Sequence, residues 1–259
     1  MAHTLFISDL HLAAERPHIA EQFFTFVRDV APAAEALYIL GDLFEHWIGD
    51  DDRDEPLNDT VARALAALAT RGTRIHLMHG NRDVLIGANF VARCGATLIG
   101  DPTVVTLYGT RTLLMHGDTL CSDDVEYQKF RLYAHDAENQ KNFLAQPLSA
   151  RRDQMLGMRA KSEQVKKEKT AEIMDVSPDA VAAALRAHTY PRLIHGHTHR
   201  PAHHTHSVDG YTCERWVLAD WYQRGSYLRC DASGCESVQL PALLPPGQGH
   251  TCSGAEGGA

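Results

Sequence analysis

The stretch HGHTHRP at residues 195–201 places His195, His197 and His199 at alternate positions and closes on Arg-Pro. The preceding RLI reads as a strand leaving a core, and period-two alternation along it predicts three imidazoles on one side until the strand ends. Converging imidazoles suggest a metal site, and the competing reading of an isolated His-x-His is a solvated, histidine-rich loop. Four further polar clusters each follow an apolar run: Asp9-Leu10-His11, Gly41-Asp42, Gly80-Asn81-Arg82-Asp83 and His116-Gly117-Asp118. Taken singly, each is an ordinary turn or cap. Taken in order, they offer carboxylates, imidazoles and one amide, the donors that divalent ions such as manganese accept, and no cysteine intrudes to favour a zinc thiolate site.

Elements of two kinds must position these clusters. HTLFIS and EALYIL are short apolar runs that halt at DLHL and GDLFEHWIGDDD, as buried strands do when they deliver functional loops. Between and after them, IAEQFFTFVRDV, LNDTVARALAALATRG and VLIGANFVARCG carry helical apolar spacing, and TRIHLMHGNRD is a strand and loop. This is a βαβ pattern with ligand loops at strand ends. TVVTLYGTRTLLMHGD, AHHTHSVDGYTCERWVLAD and SYLRCDASGCESVQL then read as hairpins, so the α/β pattern implies a mixed sheet or two stacked sheets. From Ser122 to about Ala187 the chain is polar and largely helical. Between Arg151 and Lys169, seven Lys/Arg stand against three Asp/Glu, which suits either a solvated helical face or an inserted basic cap.

The 259 residues allow one large domain or two small ones, and 44% apolar with 22% charged residues is an ordinary globular composition. A formal net charge of -8 argues against a protein that coats nucleic acid. No apolar run is long enough to span a bilayer, and MAHTLFISDLHL lacks the features of a signal peptide, so a cytoplasmic location is expected. The six cysteines, at 94, 121, 213, 230, 235 and 252, form no Cys-x-x-Cys pair and read as buried or incidental thiols rather than a disulfide framework. The tail beyond residue 240 is rich in Pro, Gly and Ser and is expected to be disordered.

The ordered clusters resemble the signature of the calcineurin-like metallophosphoesterases, which runs Asp-x-His, Gly-Asp, Gly-Asn-His, His and Gly-His-x-His. The match covers roughly residues 4–200. It implies one ion held by Asp9, His11, Asp42 and His199 and another by Asp42, Asn81, His116 and His197, with Asp42 between ions about 3.5–4 Å apart. His195 would then sit behind the ligands or face substrate. Where most of the family has histidine after Gly-Asn, this chain has Arg82, a permanent cation that can grip phosphoryl oxygens and cannot donate a proton, or that simply pairs with Asp83. A pyrophosphate substrate tolerates that change, because a phosphate monoester leaves as an anion.

Within the family, ISDLHL, GDLFEHWIGDD, HGNRD, MHGDTLCSDD, IMDV and LIHGHTHRP resemble the branch that hydrolyses UDP-2,3-diacylglucosamine in Gram-negative lipid A synthesis, over roughly 240 residues. That resemblance implies an αββα sandwich over residues 1–240 with a helical lid at about 122–187 and a disordered 241–259. It implies a chain that uses two Mn2+, acts through Asn81, Arg82 and His197, and contacts substrate through Asn81, Arg82, Asp124, Ser162, Lys166, Lys169 and His197. It further implies a monomer that rests peripherally on lipid at the cytoplasmic side of the inner membrane. The basic insertion would supply cations for the diphosphate and apolar residues for the acyl chains. Trp47 and Ile48 would either join that groove or pack in the core. Action on a soluble nucleotide or another nucleoside diphosphate derivative is the alternative. A metal-free scaffold is disfavoured, because no ligand position is missing.

Overall fold

The apolar runs become strands buried on both faces, and their alternation divides side chains between two separate cores. The computed structural model describes residues 1–168, 173 and 175–241, leaving aside the side chains of 160–168. Strands β1 (Thr4–Ile7), β2 (Ala36–Leu40), β3 (Arg74–Met78) and β4 (Ala96–Ile99) pair parallel in that order. Helices α1 (Pro17–Thr25), α2 (Pro56–Thr70) and α3 (Ala88–Cys94) make the crossovers. Strands β5 (Thr103–Leu107), β6 (Thr110–Met115), β7 (Arg192–His195), β8 (Ala202–Val208) and β9 (Tyr211–Val217) form a second sheet in the order β5-β6-β7-β9-β8. The hairpin of β10 (Ser226–Asp231) and β11 (Gly234–Gln239) then returns to the first sheet and pairs antiparallel with β1.

Both sheets are mixed, as the hairpin pattern predicts, and they stack face to face. Leu5, Ile7, Leu37 and Ile39 turn toward the helices, where they meet Ile19, Phe23, Val61 and Leu65. Phe6, Tyr38 and Leu40 turn the other way and meet Leu114 and Ile194 of the second sheet. On the outer face of that sheet, Leu113, Met115 and Leu193 are covered by Val181 and Leu185 of α7 (Pro178–Ala187). Helix, sheet, sheet and helix therefore form four layers. Each such fully buried aliphatic side chain contributes about 1.5–3 kcal/mol.

The region expected to be inserted is of two kinds. Helices α4 (Val125–His135) and α5 (Ala137–Leu144) bury no residue, whereas α7 is part of the layered body, so the 122–187 expectation runs too far at its C-terminal end. The long α6 (Leu148–Glu168) docks on the acidic loop that follows β2. Arg151 is buried there and donates to Asp51 and to the Ile48 carbonyl, while Arg152 pairs with Asp52 and Asp54. These cations are spent on a protein surface, a local use that net charge does not reveal.

Of the two alternatives for Trp47 and Ile48, the structure shows packing in the core, with the Trp47 ring 4.6 Å from that of Phe90. One expectation is corrected. Cys230 and Cys235, read as incidental thiols, form a disulfide, because the β10–β11 register makes them direct cross-strand partners. Cys94, Cys121 and Cys213 are buried and lie outside that disulfide. Among the described residues no helix is long and apolar enough to cross a membrane. The tail expected to be disordered lies, from 242 on, outside the described residues.

Candidate metal centre

Three parallel strands of the first sheet, β1, β2 and β3, end side by side, and so do β6 and β7 in the second. Ligand loops in such sheets gather at the carboxyl ends of strands. Here the two ends are tied together: the His116 ring donates from Nδ1 to the Leu40 carbonyl at 2.9 Å, and the His197 amide donates to Asp9 Oδ2 at 2.8 Å. Asp9, His11, Asp42, His197 and His199 all have left-handed backbone, at φ between 50° and 68°. That conformation costs a non-glycine residue on the order of 1–2 kcal/mol. It also explains why simple alternation fails along HGHTH. The strand ends at His195, and the left-handed turns at His197 and His199 aim only those two rings at the centre.

His195 itself is wholly buried. Its Nδ1 donates to the Gly196 carbonyl at 2.9 Å and its Nε2 lies 3.2 Å from Arg215 Nη1. Burial pushes this imidazole down to about 4, so it is neutral and accepts from Arg215. Of the two alternatives for His195, the structure shows the one behind the ligands. Two glycines permit the close approach of the loops. A Cβ on Gly80 would stand 2.1 Å from Asp42 Oδ1, and one on Gly196 would stand 2.2 Å from Asp9 Oδ2.

Two sets of donor atoms result. In the first, His199 Nε2 is 3.4 Å from Asp9 Oδ1, and His11 Nε2 is 3.3 Å from His199 Nε2 and 3.7 Å from Asp42 Oδ2. In the second, Asn81 Oδ1 is 3.2 Å from His116 Nε2 and 3.0 Å from His197 Nδ1, and His116 Nε2 is 3.9 Å from Asp42 Oδ1. Asp42 thus turns one oxygen to each set. Asp9 Oδ1 is buried with no hydrogen-bond donor. Unpartnered carboxylate oxygen, converging imidazole nitrogens and an amide oxygen fit divalent cations of the harder kind.

The electrostatics agree with that donor set. Burial, reinforced by Asp83 and Asp9, pushes Asp42 up to about 7. Burial also opposes charge on His116, yet Asp42, Asp118 and Asp9 raise it to about 9. Asp9 is held well below the carboxylate range, against burial, by His199 at 3.4 Å and by the surrounding imidazoles of His116 and His11. Burial lowers His11, and it lowers His197 to about 3 with help from His116, so both rings are neutral donors. The proton affinities of Asp42, His116 and His199 are all raised, and a cation bound among them would compete with those protons.

Several supporting residues escape sequence reasoning. Asp83 is spent on the amides of Leu43 at 2.7 Å and Gly80 at 2.8 Å, which staples two ligand loops together. Asp220 Oδ2 lies 3.6 Å from His199 Nδ1, Tyr222 stacks on His11 at 5.1 Å, and Glu45 Oε2 lies 3.4 Å from His11 Nδ1. VLAD-WY has the same strand-then-polar form as the other clusters, and that was its available signal. Among the expected substrate contacts, Asn81 and His197 lie in the centre and the Arg82 amide donates to Asp42 Oδ1 at 2.8 Å. Asp124 caps α4 by accepting from the Tyr127 amide. The side chains of Ser162 and Lys166, and the whole of Lys169, lie outside the described residues.

The stacked sheets and the donor set at their strand ends define a metallophosphoesterase, and the chain belongs to the calcineurin-like phosphoesterase family, whose model matches residues 2–201. The chain is 52% identical over 230 residues to the UDP-2,3-diacylglucosamine hydrolase of Aromatoleum aromaticum, covering 89% of this chain and 94% of the relative. It is 53% identical over 237 residues to the enzyme of that name from Marinobacter nauticus, covering 92% and 96%. The corresponding match in Edwardsiella ictaluri is 48% over 240 residues, covering 92% of each.

Proposed function

We propose that this chain hydrolyses the pyrophosphate of UDP-2,3-diacylglucosamine, with water attacking the α-phosphorus to give UMP and 2,3-diacylglucosamine 1-phosphate. The carrying observation is the double set of donor atoms around Asp42, in a chain about half identical over nearly its whole length to hydrolases named for that substrate. Two Mn2+, one with Asp9, His11, Asp42 and His199 and one with Asp42, Asn81, His116 and His197, would when bound favour deprotonated water near neutral pH and draw charge from the phosphoryl group. A bond forms from water oxygen to the α-phosphorus, the bond from that phosphorus to the bridging oxygen breaks, and the bridging oxygen leaves on the sugar phosphate as an anion. No side chain has to protonate it, which suits arginine at position 82.

In this reading the chain's own residues orient and hold. Asn81 and His197 stand together at one side of the centre, and the Arg82 backbone is tied to Asp42, which supports a role for its guanidinium at the attacked phosphoryl group. Asp124, Ser162, Lys166 and Lys169 hold the rest of the substrate. Residues 1–240 form one domain, and its lid comprises α4 to α6. Leu132, Tyr133 and Leu156 are exposed on those helices, beside basic residues, and support peripheral contact of a monomer with inner-membrane lipid at the cytoplasmic side. The test is hydrolysis of UDP-2,3-diacylglucosamine by purified protein, with manganese or with chelator, separating UMP from UDP. Manganese-dependent UMP release is expected. UDP release, or cleavage only of soluble nucleotides, would overturn the proposal.

A further inference from the structure

We propose that Glu45 is a positioning residue that couples the docking of α6 to the metal ligand His11, so that helix placement and metal affinity depend on each other. The inference rests on the metal-centre reading above and adds to it a residue and a linkage.

Glu45 is buried and rigidly mounted. Its amide donates to the Leu12 carbonyl at 3.1 Å, and the Leu12 amide donates to the Leu43 carbonyl at 2.9 Å, so the loops bearing His11 and Asp42 are zipped together where Glu45 begins. Its two carboxylate oxygens face different parts of the molecule. Oε2 is bonded to Arg16 and lies 3.4 Å from His11 Nδ1, whereas Oε1 lies 3.4 Å from Arg159 Nη2 on α6. His11 turns its other nitrogen, Nε2, toward Asp42 and His199.

His11 Nδ1 is buried and makes no hydrogen bond at that separation. A histidine that ligates through Nε2 carries its proton on Nδ1, and an acceptor there fixes the ring and raises its basicity. The acceptor nearest to hand is Glu45 Oε2, a small carboxylate rotation away. Arg159 holds the opposite oxygen and therefore sets that rotation. The ring has little other freedom, since Tyr222 stacks on it at 5.1 Å and Arg16 lies 4.8 Å from the Tyr222 centroid.

Arg159 is not an isolated contact. Arg151 and Arg152, two turns earlier on α6, dock on Asp51, Asp52 and Asp54 of the loop that begins at Glu45. Docking of α6 therefore brings Arg159 to Glu45, and release withdraws it. Thermodynamic reciprocity then requires that a cation held by His11 also favours docking.

The experiment uses the full chain and manganese alone. Manganese affinity is measured by calorimetry, and amide hydrogen exchange is followed over residues 148–159 with manganese and with chelator, for wild type, Glu45→Gln and Arg159→Met. In wild type, manganese should increase protection of 148–159. Glu45→Gln should weaken manganese binding by about 10- to 100-fold and abolish that manganese-dependent protection. Arg159→Met, which leaves Glu45, Arg16 and His11 in place, should weaken binding by about 5-fold, and it decides the matter alone if the buried Glu45→Gln change prevents folding. Unchanged manganese affinity in Arg159→Met, or manganese-dependent protection that persists in a folded Glu45→Gln, would overturn the coupling. A wild-type chain that binds no manganese overturns both the coupling and the metal-centre reading. Hydrolysis is not part of the readout, so a wrong substrate leaves the coupling standing.

Discussion

Arg151→Met should release α6 from the body without unfolding it. Arg151 is 2% exposed, and its Nη1 donates to the Ile48 carbonyl at 2.5 Å and to Asp51 Oδ1 at 2.8 Å, while Nη2 pairs with Asp51 Oδ2. Methionine keeps the unbranched stem and its packing but none of the donors. A hydrogen bond from a charged donor to a buried carbonyl contributes about 1.5–3 kcal/mol. The ion pair adds less than its geometry suggests, because the Asp51 side chain is 60% exposed and solvent screens it to about 0–1 kcal/mol. A total near 2–3 kcal/mol corresponds to roughly 30- to 150-fold in the opening equilibrium. Helices α4 and α5 bury no residue of their own, so opening should stay local to this region. Hydrogen exchange read over residues 148–159 should accelerate by that factor, with the amides of β1 to β3 unaffected. Unchanged exchange in α6 would refute the argument, and so would equal acceleration in the central strands.

Three other outcomes follow from particular contacts. Arg82→Ala should lower turnover on UDP-2,3-diacylglucosamine by about 100- to 1000-fold while leaving manganese content nearly unchanged, as measured by metal analysis beside steady-state kinetics. Trp47→Ala should cost about 3–5 kcal/mol in urea unfolding, since the ring is 3% exposed against Phe44 and Phe90; a lining of the substrate groove would instead change KM at constant stability. Asp51 is held below its ordinary value of 3.8 chiefly by the hydrogen bonds from Arg151, so its contribution is complete above that pH and disappears as pH falls through the lowered value. The difference in thermal stability between wild type and Arg151→Met should therefore narrow below pH 3.8, and a difference that widens there would contradict the assignment.

Much of the candidate centre could be read in the sequence because each candidate ligand is written at the end of an apolar run. Asp9 and His11 follow β1, Asp42 follows β2, Asn81 follows β3, and His116 and His197 follow β6 and β7, so local pattern alone places them at strand ends. The two-sheet architecture was legible for the same reason, since three hairpins follow three strand-helix repeats. Strand-end position does not specify side-chain direction. His195, His197 and His199 look equivalent by alternation, but left-handed turns at His197 and His199 send those two to the centre and leave His195 in the core.

What tertiary structure decided is the set of partners remote in sequence. Glu45 faces Arg159 across 114 positions, Asp220 stands behind His199, and Trp47 turns into the core. Arg151 and Arg152 read as part of either a solvated helical face or an inserted basic cap until the acidic loop beneath them is seen. The division has a physical cause. Hydrophobic periodicity and turn residues act within a few residues and are written locally, so the sequence by itself determined the elements and the ligand loops at their ends. Ion pairs, ring stacking and the orientation of one carboxylate between two elements depend on how finished layers meet, and only the folded chain determines that.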